Sequence, residues 1–400
     1  MTLPIDTIET FTVRLPTRTD FRWNGLERPL GEVFVVRVGS GSLVGYGETV
    51  PLPDWGGPSG APFGETPSID ELVIHELVAP QVLGQDAERL GPVLARTASG
   101  VIGYPYALGA LDVALHDLLA RSRGIPVYEL LGGLRRSAIP IAHMIGLMAT
   151  DAAEREAAKA LEEGCRAFQI KGGQDVERDV DLVARLRALA GPGVSLRLDA
   201  NCGYGPWKRG LDAVLRLADA GVDLVEQPAS TVDGLRRITE RSSVAIVADE
   251  LCWSPADALA LAADRSADAL SVYVAKAGGL APAAAITRIA AAAGMPHDLN
   301  GSLEAGIGNA ASLHVAAASD AELLPCVVPI NGPAHDLPSA IFGRYFTDDV
   351  VASAFELVDG AVVLGDEPGL GIEVDEEKLG RLSVAHRTTC AEARDLEVNL

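Results

Sequence analysis

Three apolar runs in this sequence each stop at an acid. "VSLRLDAN" (194–201) stops at Asp199, "VDLVEQP" (222–228) at Glu226, and "VAIVADE" (244–250) at Asp249, with Glu250 beside it. Two lysines bracket them: Lys171 closes "RAFQIK" and Lys276 lies in "ALSVYVAKAG", while Glu304 follows "PHDLNGS". The steps 171 to 199, 199 to 226, 226 to 249, 249 to 276 and 276 to 304 each have the length of about one strand plus one helix. A lone Asp at a strand end is more often a helix N-cap or a turn residue. Five charged strand ends in the order Lys, Asp, Glu, Asp, Lys instead describe side chains that converge. Three converging carboxylates raise one another's pKa unless a cation neutralises them, and hard oxygen donors favour Mg²⁺. A lysine near a divalent cation has a lowered pKa and can act as a base near neutral pH; two of them could serve opposite faces of a bound substrate.

The elements that must position these residues follow from the pattern around them. From about residue 138 the chain alternates strand and helix, with eight candidate strands: "IPIAHMIGL", "RAFQIKG", "VSLRLDAN", "VDLVEQP", "VAIVADE", "ALSVYVAKAG", "PHDLNGS" and "LPCVVPI". Such alternation predicts a parallel β/α barrel, whose chemistry lies at the C-terminal ends of its strands. The stretch from Ile139 to Ile330 is short beside the roughly 250 residues typical of such barrels, and no convincing helix follows the eighth strand. A doubly wound open sheet is the competing fold, but no G-x-G-x-x-G follows the first strand of this region. Residues 1–130 read as an α+β domain. "TIETFTVRL" and "EVFVVRVGS" alternate as antiparallel strands, while "SIDELVIHELVAPQVLG" and "PYALGALDVALHDLLARSRG" have helical spacing. Residues 131–335 would be the barrel. Residues 336–400, with "FELVDGAVVL", would pack back on the first domain. Two long Gly/Pro-rich loops, 16–30 and 49–67, supply Arg18, Arg22, Trp23, Arg28 and Trp55; loops of that length in a compact domain are usually functional.

The chain of 400 residues carries a formal charge of −22, which argues against nucleic acid and anionic membranes as partners. An anionic substrate would therefore need local positive charge. The N-terminus lacks the pattern of a signal peptide, and the most alanine-rich stretch, "APAAAITRIAAAAG", is too short for a membrane span. Five scattered cysteines fit reduced thiols. The expected setting is the cytoplasm, as a homo-oligomer.

The order K…D…E…D…K, with "LDAN", "VEQP" and "ADE", resembles the enolase superfamily. The lysine in "AKAGG" resembles the muconate lactonizing enzyme-like subgroup of its mandelate racemase/muconate lactonizing enzyme family. "ALGALDVALHDLLARSRGIPVYELLGG", "GIGNAASLHVAAAS" and "PGLGIEVDEEKL" extend the likeness over nearly the whole chain. The resemblance implies a (β/α)7β modified TIM barrel with an α+β capping domain completed by the C-terminal segment. It also implies a shared reaction: a substrate carboxylate binds Mg²⁺, a base removes the α-proton, and the metal stabilises the ene-diolate. Carried over, Asp199, Glu226 and Asp249 would be metal ligands and Lys171 and Lys276 the acid/base pair. Asn201, Gln227 and Glu250 would support them. The family's second strand usually ends K-x-K, whereas here it reads Gln169-Ile170-Lys171, so Gln169 would leave Lys171 less acidic or would touch the substrate. His297 and Asp298 are adjacent and point to opposite faces of a strand, which leaves Asn300 the better candidate for substrate contact. The expected activity is that of an isomerase (racemase, epimerase or cycloisomerase) acting on a small carboxylate. A dehydratase of a hydroxy acid or acid sugar, for which the loop arginines and tryptophans would provide contacts, is the alternative. A non-catalytic ligand-binding barrel is the reading from another class.

Overall fold

The computed structural model describes residues 2–26, 29–56, 64–335 and 339–391; Arg28 and the tip of the second long loop lie outside them. Strands β1 (Thr7–Arg14), β2 (Glu32–Ser40) and β3 (Leu43–Thr49) form an antiparallel sheet against the helix Pro105–Arg123. The helix lies almost on the backbone of β3. A Cβ at Gly45 or Gly47 would fall 2.3 and 1.9 Å from the carbonyl oxygens of Ala114 and Ala110, so only glycine allows this approach. Gly124, with φ 65°, ends the helix in the left-handed conformation expected of its type.

A short strand β4 (Ala138–Pro140) leads into seven parallel strands that pair in chain order: β5 (His143–Ile145), β6 (Ala167–Lys171), β7 (Ser195–Asp199), β8 (Leu224–Glu226), β9 (Ala245–Ala248), β10 (Ala269–Val272) and β11 (His297–Leu299). Helices separate them and cover the outside. The eighth segment, "LPCVVPI", is extended but forms no continuous ladder. It closes the ring through two parallel bridges, Leu323 with His297 and Cys326 with Ile141. Pro325 and Pro329 explain the difference, since proline cannot donate to a ladder. The architecture is the (β/α)7β modified barrel with its α+β cap.

The tail divides between both parts. The hairpin β12 (Leu357–Val358) and β13 (Ala361–Val363), from "FELVDGAVVL", pairs with β4 beside the barrel. A strand not evident in the sequence, β14 (Ser383–Cys390), pairs with β1 and completes a four-stranded sheet in the order β14-β1-β2-β3. The seam between cap and barrel is held by a buried acid at a helix start. The Glu48 carboxylate, from β3, accepts the amides of Ala305 (2.5 Å) and Gly308 (3.1 Å) at the start of the helix Gly306–Ala318. Among the described residues no helix is long and apolar enough to cross a membrane.

Candidate active site

The ladder register brings the acids together. Lys171 stands beside Asp199, and Asp199 beside Glu226; on β9, Val247 stands beside Glu226, and Asp249 follows two residues later on the same face. The three carboxylates are fully buried. Burial, then repulsion by Asp199, pushes the Glu226 carboxyl up to about 8, although Arg197 pulls it down. Asp249 is raised by burial against the opposing pull of Lys276.

The lysines meet the acids at either end of this row. Lys171 Nζ donates to Asp199 Oδ2 at 2.6 Å. Burial alone would lower its pKa, but the attraction of Asp199 and then Glu226 outweighs burial and holds it above the ordinary value; the expected lowering depends on a metal charge that would draw those carboxylates away. Lys276 Nζ donates to Asp249 Oδ1 at 2.5 Å and to the backbone carbonyls of Asp249 (2.7 Å) and Ser271 (3.2 Å). It does not end a strand: β10 stops at Val272, and Lys276 sits on a short helical turn, Val274–Ala277. Gly278, with φ 86°, ends that turn and leaves Lys276 folded back under the mouth.

Gln169 faces the same interior as Lys171 but donates to Glu226 Oε2 at 2.9 Å. Asn300 Nδ2 lies 3.3 Å from Glu226 Oε1 and 3.1 Å from the Ser271 hydroxyl. Both therefore brace a carboxylate. Gln227 and Asn201 occupy left-handed turns, with φ 41° and 39°, conformations uncommon outside glycine. Gln227 Oε1 accepts the Asp249 amide at 2.8 Å, which fixes the backbone of that acid. Asn201 Nδ2 donates to Glu250 Oε1 at 3.1 Å, and burial followed by repulsion from Asp249 raises Glu250 well above the carboxylate range. Glu304 turns back to accept the Ser302 amide at 2.8 Å, and burial raises it to about 7. His297 points out of the ring toward the Glu322 carbonyl (3.2 Å), with its pKa lowered by burial to about 4.

One residue of the site, within "VSLRLDAN", is not among the candidates that the sequence points to. Arg197, two before Asp199 and so on the same face, holds Asp298 Oδ2 at 2.6 Å and Glu226 Oε2 at 3.3 Å, buried beneath the carboxylates. Strand alternation alone could have singled it out. Tyr273, Leu52, Met144, Leu303 and Val327 also line the mouth, with Trp23 and Trp55. Arg22 instead pairs with Asp20 at 3.0 Å, and Arg18 with Glu156 at 2.7 Å. The enclosed space is about 10 Å³, the room of roughly one water.

Among the described residues no three His, Cys, Asp or Glu side chains stand as a ready metal cage: Asp199 and Asp249 each turn an oxygen to a lysine. The donor chemistry still fits a hard divalent cation. Three adjacent buried carboxylates, one driven up to about 8 by burial and then by its neighbours, gain most from such a charge.

An enolase C-terminal domain-like family model matches residues 152–378, and a mandelate racemase/muconate lactonizing enzyme N-terminal domain model matches residues 23–132. A chloromuconate cycloisomerase of Delftia acidovorans is 32% identical over 386 residues, which cover 94% of this chain and 98% of that protein. An L-Ala-D/L-Glu epimerase of Clostridium acetobutylicum is 31% identical over 308 residues, covering 76% and 82%. A dipeptide epimerase of Cytophaga hutchinsonii, solved with Mg and the dipeptide D-Ala-L-Val, superposes with a TM-score of 0.84 at 22% identity, over 96% of this chain and 99% of that one. The chain belongs to the enolase superfamily, among its muconate lactonizing enzyme-like members. It is an enzyme, and the chemistry of its relatives is isomerisation; neither the dehydratase nor the non-catalytic barrel is favoured.

Proposed function

We propose that the protein is a Mg²⁺-dependent isomerase that removes and returns a proton α to the carboxylate of a small substrate, with Lys171 and Lys276 as the acid/base pair. One observation carries this reading. Counting the closing segment, β6 and β10 are four places apart in a ring of eight, so their lysines approach the mouth from opposite sides. Asp199, Glu226 and Asp249 would hold the cation, which family members generally use; when bound it neutralises the charge that develops on the substrate carboxylate. Arg197, Gln169 and Asn300 keep Glu226 oriented, and Gln227 does the same for Asp249. In a racemisation or epimerisation one lysine takes the proton from the face it meets and the other delivers a proton to the opposite face. In a cycloisomerisation one protonated lysine gives the α-carbon the proton it gains as the ring closes, and takes it back when the ring opens.

The apolar lining by Leu52, Met144, Leu303 and Val327 supports a carboxylate with an apolar or unsaturated body over a polyol acid. The nearly filled mouth supports a cycle in which the capping loops part for entry and close over the substrate, excluding water. Five free cysteines support a cytoplasmic setting, and the reading includes a homo-oligomer, which sedimentation would check. The main experiment incubates a carboxylate library with the enzyme and Mg²⁺ in D₂O. NMR should show α-deuteration, inversion or ring closure that disappears with EDTA. Elimination without any exchange or inversion would point to the dehydratase instead.

A further inference from the structure

Each of the two long capping loops delivers one tryptophan, and each tryptophan lies against a different lysine. Lys171 Nζ is 5.3 Å from the centre of the Trp23 ring, and Lys276 Nζ is 5.7 Å from that of Trp55. Both distances lie within the reach of a cation–π contact. The loop backbones explain the pairing. The Arg22 carbonyl accepts the Leu147 amide at 2.7 Å, just beyond β5, and Asn24 Nδ2 donates to the Asn201 carbonyl at 2.9 Å, just beyond β7. Trp23 is thus pinned over the strand between them, β6, whose last residue is Lys171. Trp55 packs on Trp253 (5.0 Å) and Tyr273 (5.4 Å), which follow β9 and β10 on the far side of the ring. Tyr273 itself lies 4.5 Å from Lys276 Nζ. The second loop is anchored where Glu65 accepts the Tyr106 and Ala107 amides at 3.2 Å.

We propose that Trp23 is a positioning residue for Lys171 and Trp55 for Lys276, so that each tryptophan controls one face of the substrate. The division between faces rests on the catalytic reading above; the pairing itself rests on the geometry. Each indole shields its ammonium from water and confines the lysine to the rotamer that reaches the mouth. Losing one indole frees its own lysine and leaves the other seated.

The test uses the full chain and needs no substrate at first. Trp23→Leu, Trp55→Leu and the two phenylalanine variants are acetylated with sulfosuccinimidyl acetate, and peptide mass spectrometry reads the rate at each lysine. Trp23→Leu should speed labelling of Lys171 by about tenfold, the scale of a desolvated cation–π contact, and leave Lys276 unchanged. Trp55→Leu should do the reverse, and phenylalanine should restore protection at both. If a leucine variant fails to fold, histidine takes its place under the same reading. Both lysines responding to one loop, or neither responding, would overturn the pairing. A second arm follows α-exchange of single stereoisomers in D₂O, where each leucine variant should slow one isomer and spare the other. Segregated labelling with no exchange in the wild type would uphold the pairing and overturn the catalytic reading. Exchange slowed equally for both isomers would overturn the control of separate faces.

Discussion

Glu226→Gln should make the metal-free protein less sensitive to rising pH while removing its response to Mg²⁺. Glu226 is fully buried, and burial followed by repulsion from Asp199 and Asp249 lifts it from an ordinary 4.5 to about 8, with Arg197 opposing. The folded state therefore holds a proton that the unfolded chain has lost anywhere between those values. Stability from this source is fully present below pH 4.5 and declines as pH rises toward 8. The gap, at roughly 1.4 kcal/mol per pH unit, amounts to about 5 kcal/mol. For a chain of this size that is on the order of 5–10 °C in Tm. Other buried acids decline with it, Asp349 and Glu304 among them, both raised to about 7 by burial, so the informative quantity is the difference between wild type and variant. Thermal melts of EDTA-treated protein from pH 5 to 8.5 should show a steeper fall for the wild type. Added Mg²⁺ should raise the wild-type Tm at pH 8 and leave that of the variant unmoved. Parallel pH profiles, or an equal Mg²⁺ shift in both proteins, would refute the reasoning that Glu226 is a strained carboxylate awaiting a cation.

Asp199→Asn and Asp249→Asn should each abolish Mg²⁺-dependent turnover and the calorimetric signal of Mg²⁺ binding while circular dichroism stays native, the result expected if the three acids hold one cation as a unit. Lys276→Ala should lose about 10²–10⁴-fold in turnover yet retain α-proton exchange of one stereoisomer through Lys171, and Lys171→Ala should retain exchange of the other; NMR in D₂O checks both. Arg197→Met should cost roughly 3–5 kcal/mol in urea unfolding by leaving Asp298 buried without its partner. Adding Asp298→Asn should recover much of that loss, and no recovery would mean the 2.6 Å pair is not the source.

The carboxylates were legible because of their recurrence: one charge at the end of an apolar strand says little, and a regular interval turns several of them into a ring. The lysine of the sixth unit was legible by type but not by element. "ALSVYVAKAG" is mostly apolar around its lysine, and a buried helical turn cannot be distinguished from a buried strand by apolarity alone. β14 was hidden for the opposite reason: "SVAHRTTC" is largely exposed on an edge of the sheet, so no core imposes alternation on it. Arg197 obeyed the alternation and was still missed, since a charge inside a strand reads as solvent-facing until the strand is known to line a closed ring. Gln169 and Asn300 looked like substrate contacts from their positions. Only the Glu226 oxygens between them give them another task.

The pairing of β14 with β1 also bears on how the protein is made. The strands β1 to β3 of the cap leave the ribosome before the barrel, yet their sheet waits for Ser383–Cys390, which leave after it. Until then β1 presents an unpaired edge whose Thr, Ile, Phe and Val side chains suit strand addition. A nascent chain thus carries an adhesive edge while the whole barrel is being made, and closing it brings together segments far apart in sequence, a slow step in folding. A chain truncated before Ser383 would keep Asp199, Glu226, Asp249 and both lysines but leave that edge open to other chains, with aggregation the expected fate.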